Sequence, residues 1–175
     1  MTGGRLVLIV ASVLIFALIA FLQRMDPSEF TTNAEDQAEA AKLKARLANP
    51  SASGNNKNFK PLGPVDIADG KHKYVLISAQ EPGFTDEHFF VTSKRGAGYH
   101  RNAAEPFVHH LEEHGYEKIQ VIGGGRILLN TDAKNISIFG FSYGFGKADH
   151  EISKRVVQAD QRYADYDITT SDEGY

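Results

Sequence analysis

The stretch that decides the fold runs from residue 135 to residue 150 and reads NISIFGFSYGFGKADH. Its first half is dense in β-branched and aromatic residues, which favours a β-strand. Glycines then recur at positions 140, 144 and 146, which is typical of a loop, and a helix is predicted to follow. Successive backbone N–H groups in such a turn form a concave site for an anion such as phosphate. A turn that merely connects a strand to a helix would use the same glycines.

The chain around this stretch mixes strand and helix patterns without a repeating βαβ rhythm. A first helix is predicted to begin after His100 and to end at Gly115, and a second over about 153–163. Residues 131–134 form a turn, so the strands on either side of it are predicted to pair as an antiparallel hairpin. Runs of β-branched and apolar residues predict strands at 73–79, 88–93, 118–123, 126–129, 135–142 and about 166–170. This mixture predicts an α+β domain over residues 61–175, with a mixed β-sheet flanked by two α-helices.

The amino-terminal region is predicted to attach the chain to a membrane. Residues 6–22 are apolar except for Ser12 and carry no charge, which is close to the shortest stretch that spans a bilayer. Residues 1–25 are therefore predicted to form an N-terminal hydrophobic helix that serves as a single-pass anchor, with a cleaved signal peptide as the alternative. The domain is expected to face the cytoplasm.

Residues 26–60 are predicted to be a partly disordered spacer, because they are poor in aromatic residues and rich in small and polar ones. A short helix is predicted inside this spacer. It begins at Asn33, carries Ala40, Leu43 and Leu47 on one face, and ends at Asn49 and Pro50.

Composition excludes several functions. The formal net charge of −3 and the absence of a basic stripe argue against nucleic-acid binding. The sequence contains no cysteine, so disulfides, thiolate zinc sites and a cysteine nucleophile are excluded. His110 and His114 have the i, i+4 spacing that can bind zinc, but acidic neighbours favour a solvated helix face, and no metal is predicted.

Three residues and one loop have the chemistry of a phosphoryl-transfer site. His100 lies between a glycine-broken loop and the first helix, where loop residues often act in catalysis. Lys73 begins a strand, and Arg126 follows three consecutive glycines at another strand. These charges are ordinary surface residues unless they converge with the loop at 142–146. If they converge, the pocket combines fixed N–H donors, two cations and an imidazole.

Several short motifs, taken in order, resemble the Janus/Ocnus family of phosphohistidine phosphatases. The resemblance covers about residues 62–175. It is carried by VDIADG at 65–70, KYVLI at 73–77, Tyr99–His100, GGGRI at 123–127, GFSYGFG at 140–146, HEIS at 150–153, YDIT at 166–169 and the final DEGY.

The resemblance implies a mixed sheet with two helices and hydrolysis of the P–N bond of protein phosphohistidine, without a metal or cofactor. His100 is then the catalytic residue, either as nucleophile or as general base. The residues that the resemblance assigns to substrate binding are Lys73, Arg126, Ser142, Tyr143 and Gly144.

Three positions depart from the family pattern. Gly144 stands where alanine is common, and Pro106 falls early in the first helix, where it limits how far upstream a regular helix begins. Arg101 replaces a small residue after the catalytic histidine. Its guanidinium is expected either to bind a phosphoryl oxygen or an acidic flank of the substrate, or to point into solvent.

The resulting hypothesis is a membrane-tethered phosphatase, monomeric as a domain, that acts on phosphorylated proteins with neutral His100. The alternative is a noncatalytic module that binds phosphorylated partners at the membrane and does not need His100. The choice between phosphohistidine and phospholysine stays open.

Overall fold

The computed structural model describes residues 32–49 and 59–173. The α-helices within these ranges are α1 (Asn33–Ala48), α2 (His100–Glu113) and α3 (His150–Ala159), and a short 3-10 helix (Gln161–Tyr163) follows α3. The strands are β1 (Val65–Asp66), β2 (Gly70–Gln80), β3 (Glu87–Ser93), β4 (Glu117–Asn130), β5 (Asn135–Phe139) and β6 (Asp167–Ser171).

The six strands form one mixed sheet in the order β1-β3-β2-β4-β5-β6. The pairs at the two edges, β1 with β3 and β5 with β6, are parallel, and the three central pairs are antiparallel. The predicted α+β class and mixed sheet are therefore confirmed. The predicted hairpin is also present, because β4 pairs antiparallel with β5 from Arg126–Phe139 to Asn130–Asn135.

Strand β4 is one continuous strand of 14 residues, so residues 126–129, predicted as a separate strand or as the continuation of 118–123, are its continuation. The glycines at 123–125 lie inside the strand and pair with Leu76, Val75 and Tyr74 of β2. Glycine weakens a strand because it contributes no side chain. Here the pairing of β4 with the long central strand β2 nevertheless continues through the three glycines. The glycines allow close approach of other backbone segments to this strand.

The sheet buries a different apolar cluster on each face. One cluster includes Val75 and Ile77 of β2 with Phe107 and Leu111 of α2, and it also contains residues of α1. The other includes Tyr74 and Leu76 with Ile127, Ile136, Ile138 and Val157, so it lies under α3. This separation follows from the period-2 alternation of side chains along β2.

Helix α1 is a third helix, in addition to the two that the sequence predicted to flank the sheet. Thr32 and Glu35 form a reciprocal capping box at its start. Ala40 and Leu43 are almost completely buried, and Leu47 packs against the same cluster, so the predicted apolar face is present. This part of the predicted spacer is thus packed against the sheet domain.

The ends of the other helices differ slightly from expectation. Helix α2 begins at His100, six residues before Pro106, so the proline does not prevent an earlier start. Helix α3 begins at His150, where the sequence predicted about 153, because the Asp149 side chain caps the N–H groups of Glu151 and Ile152.

The predicted hydrophobic helix within residues 1–25 lies outside the described residues. Within 32–49 and 59–173, no helix is long and apolar enough to cross a membrane.

Candidate functional site

The glycine-rich loop after β5 is a tight turn closed by its own backbone. The N–H of Gly146 donates to the carbonyl of Ser142 at 2.9 Å, and the N–H of Ser142 donates back at 3.3 Å. Inside the turn, the Ser142 hydroxyl accepts hydrogen bonds from the N–H groups of Gly144 and Phe145, at 3.2 and 3.1 Å. The loop therefore holds the Ser142 side chain in one fixed position.

Gly124 of β4 brings this loop and His100 together. Its N–H donates to the Gly146 carbonyl at 3.0 Å, which joins the loop to the sheet. A Cβ atom on Gly124 would lie 2.8 Å from the Tyr74 carbonyl, 3.0 Å from Cδ2 of His100 and 3.2 Å from Cβ of Ser142. Only glycine leaves room for this approach, so the glycine triplet places the imidazole beside the loop.

His100 is the first residue of α2 and is wholly buried. Its ring Nε2 donates a hydrogen bond to the Gly125 carbonyl at 3.1 Å. Because that nitrogen is committed to the strand, Nδ1 is the ring nitrogen left to contact other groups of the site. The backbone N–H of His100 lies in the first turn of α2, where it has no intrahelical acceptor.

Asp36 of α1 fills the space that these groups surround. Its carboxylate accepts hydrogen bonds from the His100 N–H at 3.0 Å and from the Ser142 hydroxyl at 2.9 Å. It also accepts from the Gly144 N–H at 3.1 Å and lies 3.1 Å from Nδ1 of His100. We call this set of four donors the anion cradle: the N–H groups of His100 and Gly144, the Ser142 hydroxyl and the His100 Nδ1.

The electrostatics of the cradle favour an anion. Burial raises the pKa of Asp36, but hydrogen bonds from His100 and Ser142, together with the charge of the imidazole, hold that pKa well below its ordinary value. Both ring nitrogens of His100 face acceptors, the carboxylate at Nδ1 and the Gly125 carbonyl at Nε2. Neither ring nitrogen is therefore free of a partner in this arrangement.

Lys73 and Arg126 lie on the same face of the sheet as the cradle. The two residues are directly opposite each other in the β2–β4 ladder and are only 1% and 2% exposed. The next pair on that face is Val75 with Gly124, two residues along and roughly 7 Å away. The fold therefore places both predicted cations beside Gly124, the strand position that the His100 ring approaches.

The structure places Tyr143 and Arg101 at the rim of the cradle. The Tyr143 side chain is 40% exposed and packs edge-on against Phe141, with 4.9 Å between the two ring centroids. The Arg101 guanidinium forms ion pairs at 2.9 Å with Glu39 of α1 and with Glu105 of its own helix. Arg101 thus contacts α1, and its contact with a phosphoryl oxygen or an acidic flank of the substrate stays a prediction.

The histidines that had metal-like spacing form local contacts. Nδ1 of His114 donates to the His110 carbonyl at 2.8 Å, within the end of α2. Across the described ranges, no group of three or more histidine, aspartate or glutamate side chains is arranged to hold a metal ion.

Asp36 is the site residue that the sequence reasoning missed. The available pattern was its position four residues before Ala40 and seven before Leu43, on the apolar face of the predicted helix. An acidic residue on a buried face needs hydrogen-bond donors, and that requirement points to a partner in the folded domain.

These features define an α+β domain in which a helix-start histidine and a glycine-rich loop form an anion site beside two buried cations. A family model described as the Janus/Ocnus family matches residues 59–167, and the chain belongs to that family. The resemblance noted in the sequence is therefore confirmed. Helix α1 and Asp36 precede the matched region.

Three relatives illustrate the similarity. The 14 kDa phosphohistidine phosphatase of Sus scrofa is 35% identical over 117 residues, which cover 63% of this chain and 90% of the relative. The sex-regulated protein janus-A of Drosophila orena is 35% identical over 111 residues, covering 61% of this chain and 76% of the relative. The sex-regulated protein janus-B of Drosophila erecta is 32% identical over 105 residues, with coverages of 60% and 74%.

Proposed function

We propose that this protein is a protein phosphohistidine phosphatase that hydrolyses the P–N bond with His100 as its catalytic residue. One observation carries the proposal: three donors from α2 and the glycine-rich loop, together with Nδ1 of His100, converge on a single anionic group. A phosphoryl group presents oxygens to the same kind of donors. Family membership and the name of the Sus scrofa relative support the same chemistry.

Free His100 would present its Nδ1 lone pair to phosphorus, because Nε2 stays bonded to the Gly125 carbonyl. In the nucleophilic route, the Nδ1–P bond forms as the P–N bond to the substrate breaks, and the leaving imidazole takes up a proton. Water then attacks phosphorus, the Nδ1–P bond breaks, and phosphate is released. In the general-base route, Nδ1 instead removes a proton from the attacking water as the P–O bond forms and the substrate P–N bond breaks, and the leaving imidazole takes up a proton.

The remaining groups of the site would stabilise charge on the transferring phosphoryl group. The N–H groups of His100 and Gly144 are fixed by helix and loop, so they need no reorganisation during the reaction. Lys73 and Arg126 would add positive charge on the same face of the sheet. Buried cations act through a low local dielectric, which strengthens their attraction for a phosphoryl dianion.

The test is phosphate release from a chemically phosphorylated histidine peptide, with the full chain compared with His100→Ala. The exposed His110→Ala variant, on the same helix, is the matched control. We expect release by the wild type and by the control, and background release by His100→Ala. Binding of the peptide without hydrolysis, unaffected by His100→Ala, would instead support a noncatalytic binding module.

Tethering to a membrane through residues 6–22, with the domain facing the cytoplasm, is part of this proposal. The apolar, uncharged composition of that stretch supports it. Expression of the full chain in eukaryotic cells, followed by alkaline extraction, tests the tether. The sequence Asn135-Ile-Ser137 matches an N-glycosylation site, so a glycan on Asn135 would contradict the cytoplasmic orientation.

A further inference from the structure

The carboxylate of Asp36, in helix α1, occupies the site where the proposed chemistry would take place. We infer that α1 is an autoinhibitory element whose Asp36 carboxylate occupies the anion cradle in place of a substrate phosphoryl group. This inference concerns regulation of the site in the proposed function and rests on that function for its meaning.

The contacts of Asp36 are those of an anionic ligand. Its two carboxylate oxygens take hydrogen bonds from groups that are 64, 106 and 108 residues away in the chain. Every member of the anion cradle donates to this one side chain. A phosphoryl group therefore cannot bind until the carboxylate leaves.

The same contacts differ from those of a carboxylate that only positions a histidine. A carboxylate that orients a catalytic histidine binds the ring nitrogen that does not react. Here Nε2 of His100 is already held by the Gly125 carbonyl, and Asp36 covers Nδ1. Asp36 thus blocks the reactive nitrogen and fills the phosphate donors at the same time.

Polar contacts spread along α1 hold it over the site. Arg101 binds Glu39 at 2.9 Å, and Arg46 binds Glu112 at 2.8 Å. The Lys44 ammonium donates to the Gly144 carbonyl at 2.7 Å, so it binds the glycine-rich loop itself. Each of these contacts is partly exposed and weak, and Ala40 and Leu43 add buried apolar packing to them.

The docked helix α1 leaves no room for a side chain at position 144. A Cβ atom on Gly144 would lie 2.4 Å from Cβ of Ala40 and 2.5 Å from the carbonyl oxygen of Asp36. Real Cβ atoms do not approach others this closely, so α1 can dock in this position only against glycine. The loop and the helix are complementary at the point where the acid enters the cradle.

The loss of ligand affinity caused by a tethered inhibitory group follows from the fraction of molecules in which the site is open. If the site is open in a fraction f of molecules, the apparent Kd of a ligand is its intrinsic Kd divided by f. A site open in about 1% of molecules would therefore bind phosphate about a hundredfold more weakly than a permanently open one.

The decisive experiment measures affinity for inorganic phosphate by calorimetry and kcat/KM on a phosphohistidine peptide, both with the full chain. Asp36→Asn removes the anion and keeps its shape. Arg46→Glu sets like charges against Glu112 and loosens α1 at the end away from the cradle. Gln37→Ala, at an exposed position next to Asp36, is the matched control. We expect both test variants to gain at least tenfold in phosphate affinity and in kcat/KM, and the control to match the wild type.

The outcomes separate the inference from the proposed function. Unchanged or weaker phosphate binding in both test variants would overturn autoinhibition. A loss of kcat/KM in Asp36→Asn with unchanged phosphate affinity would show that Asp36 positions His100, which also overturns it. Tighter phosphate binding without hydrolysis in any variant would support autoinhibition and contradict the phosphatase function.

Discussion

Lys73 and Arg126 face each other directly across the β2–β4 ladder, and both are almost completely buried. Like charges in directly opposed positions of an antiparallel pair repel each other. Two cations in this position are consistent with a site that binds a dianion.

Replacement of Lys73 tests this role. Lys73→Met should weaken binding of inorganic phosphate by roughly tenfold to a hundredfold, since a hydrogen bond to a charged group contributes about 1.5–3 kcal/mol. Lys71→Met, at an exposed position two residues earlier on the same strand, is the control for loss of one positive charge and should change affinity little. Equal effects of the two variants in calorimetry would mean that Lys73 acts only through net charge.

A methyl group at Gly124 should separate His100 from the loop. Gly124→Ala should cost about 1–3 kcal/mol of unfolding free energy, because the new Cβ meets a backbone carbonyl at 2.8 Å and the imidazole at 3.0 Å. Denaturant unfolding measures the loss, and phosphate release should fall as well. Gly63→Ala is the control, since nothing lies within 4 Å of its Cβ position. Similar stability of the two variants would argue against close packing at Gly124.

His150 should make the fold sensitive to mild acid. Its Nε2 donates to the Gly140 carbonyl at 2.9 Å, and Nδ1 accepts from the Tyr74 hydroxyl at 2.7 Å. Burial lowers the pKa of His150 below 6.5, and the hydrogen bond to Gly140 only partly opposes this. A depressed pKa favours the neutral form, so the stability that depends on it is complete above pH 6.5 and is lost as the pH falls below that value.

The matching measurement is thermal unfolding between pH 7.5 and about pH 5. His150→Gln should lower the unfolding temperature at pH 7.5 but flatten its decline toward acid. The exposed His110→Gln variant should keep the steeper wild-type decline. Parallel curves for the wild type and His150→Gln would exclude His150 as a source of the pH dependence.

Arg101 gives opposite predictions from sequence and from structure. Its position after His100 suggests a contact with the substrate, for which Arg101→Ala would lower kcat/KM. Its ion pair with Glu39 of α1 instead predicts that Arg101→Ala loosens the helix and raises kcat/KM. A double-mutant cycle with Glu39→Gln should show a coupling of roughly 0.2–1 kcal/mol in stability, as is usual for partly exposed pairs. A lower kcat/KM in Arg101→Ala, without a similar decrease in Glu39→Gln, would favour the substrate contact.

The sequence predicted the sheet domain well because the relevant patterns are local. Apolar runs marked the strands, and the residues of the glycine-rich loop and His100 stood at element ends, where sites are commonly built. The convergence of Lys73 with Arg126 depends on strand register, which no local pattern determines. Their approach became evident only from the β2–β4 pairing.

Asp36 was harder to foresee, because its significance depends on a contact across more than sixty residues. The helix around it was predicted from its caps and apolar spacing, and it is present. Low aromatic content nevertheless indicated a spacer, and small residues such as Ala40 pack closely without forming a large apolar face. The helix docks through close packing of a few apolar side chains and through hydrogen bonds, which composition does not reveal.

If α1 must leave before phosphate binds, its displacement also changes the heat-capacity change of phosphate binding. Entry of a ligand into a preformed pocket usually buries apolar surface and lowers the heat capacity. Displacement of α1 would instead expose the side chains of Ala40 and Leu43 to water, and hydration of apolar surface raises the heat capacity. Phosphate binding to the wild-type chain should therefore have a more positive heat-capacity change than binding to a variant whose helix is already released.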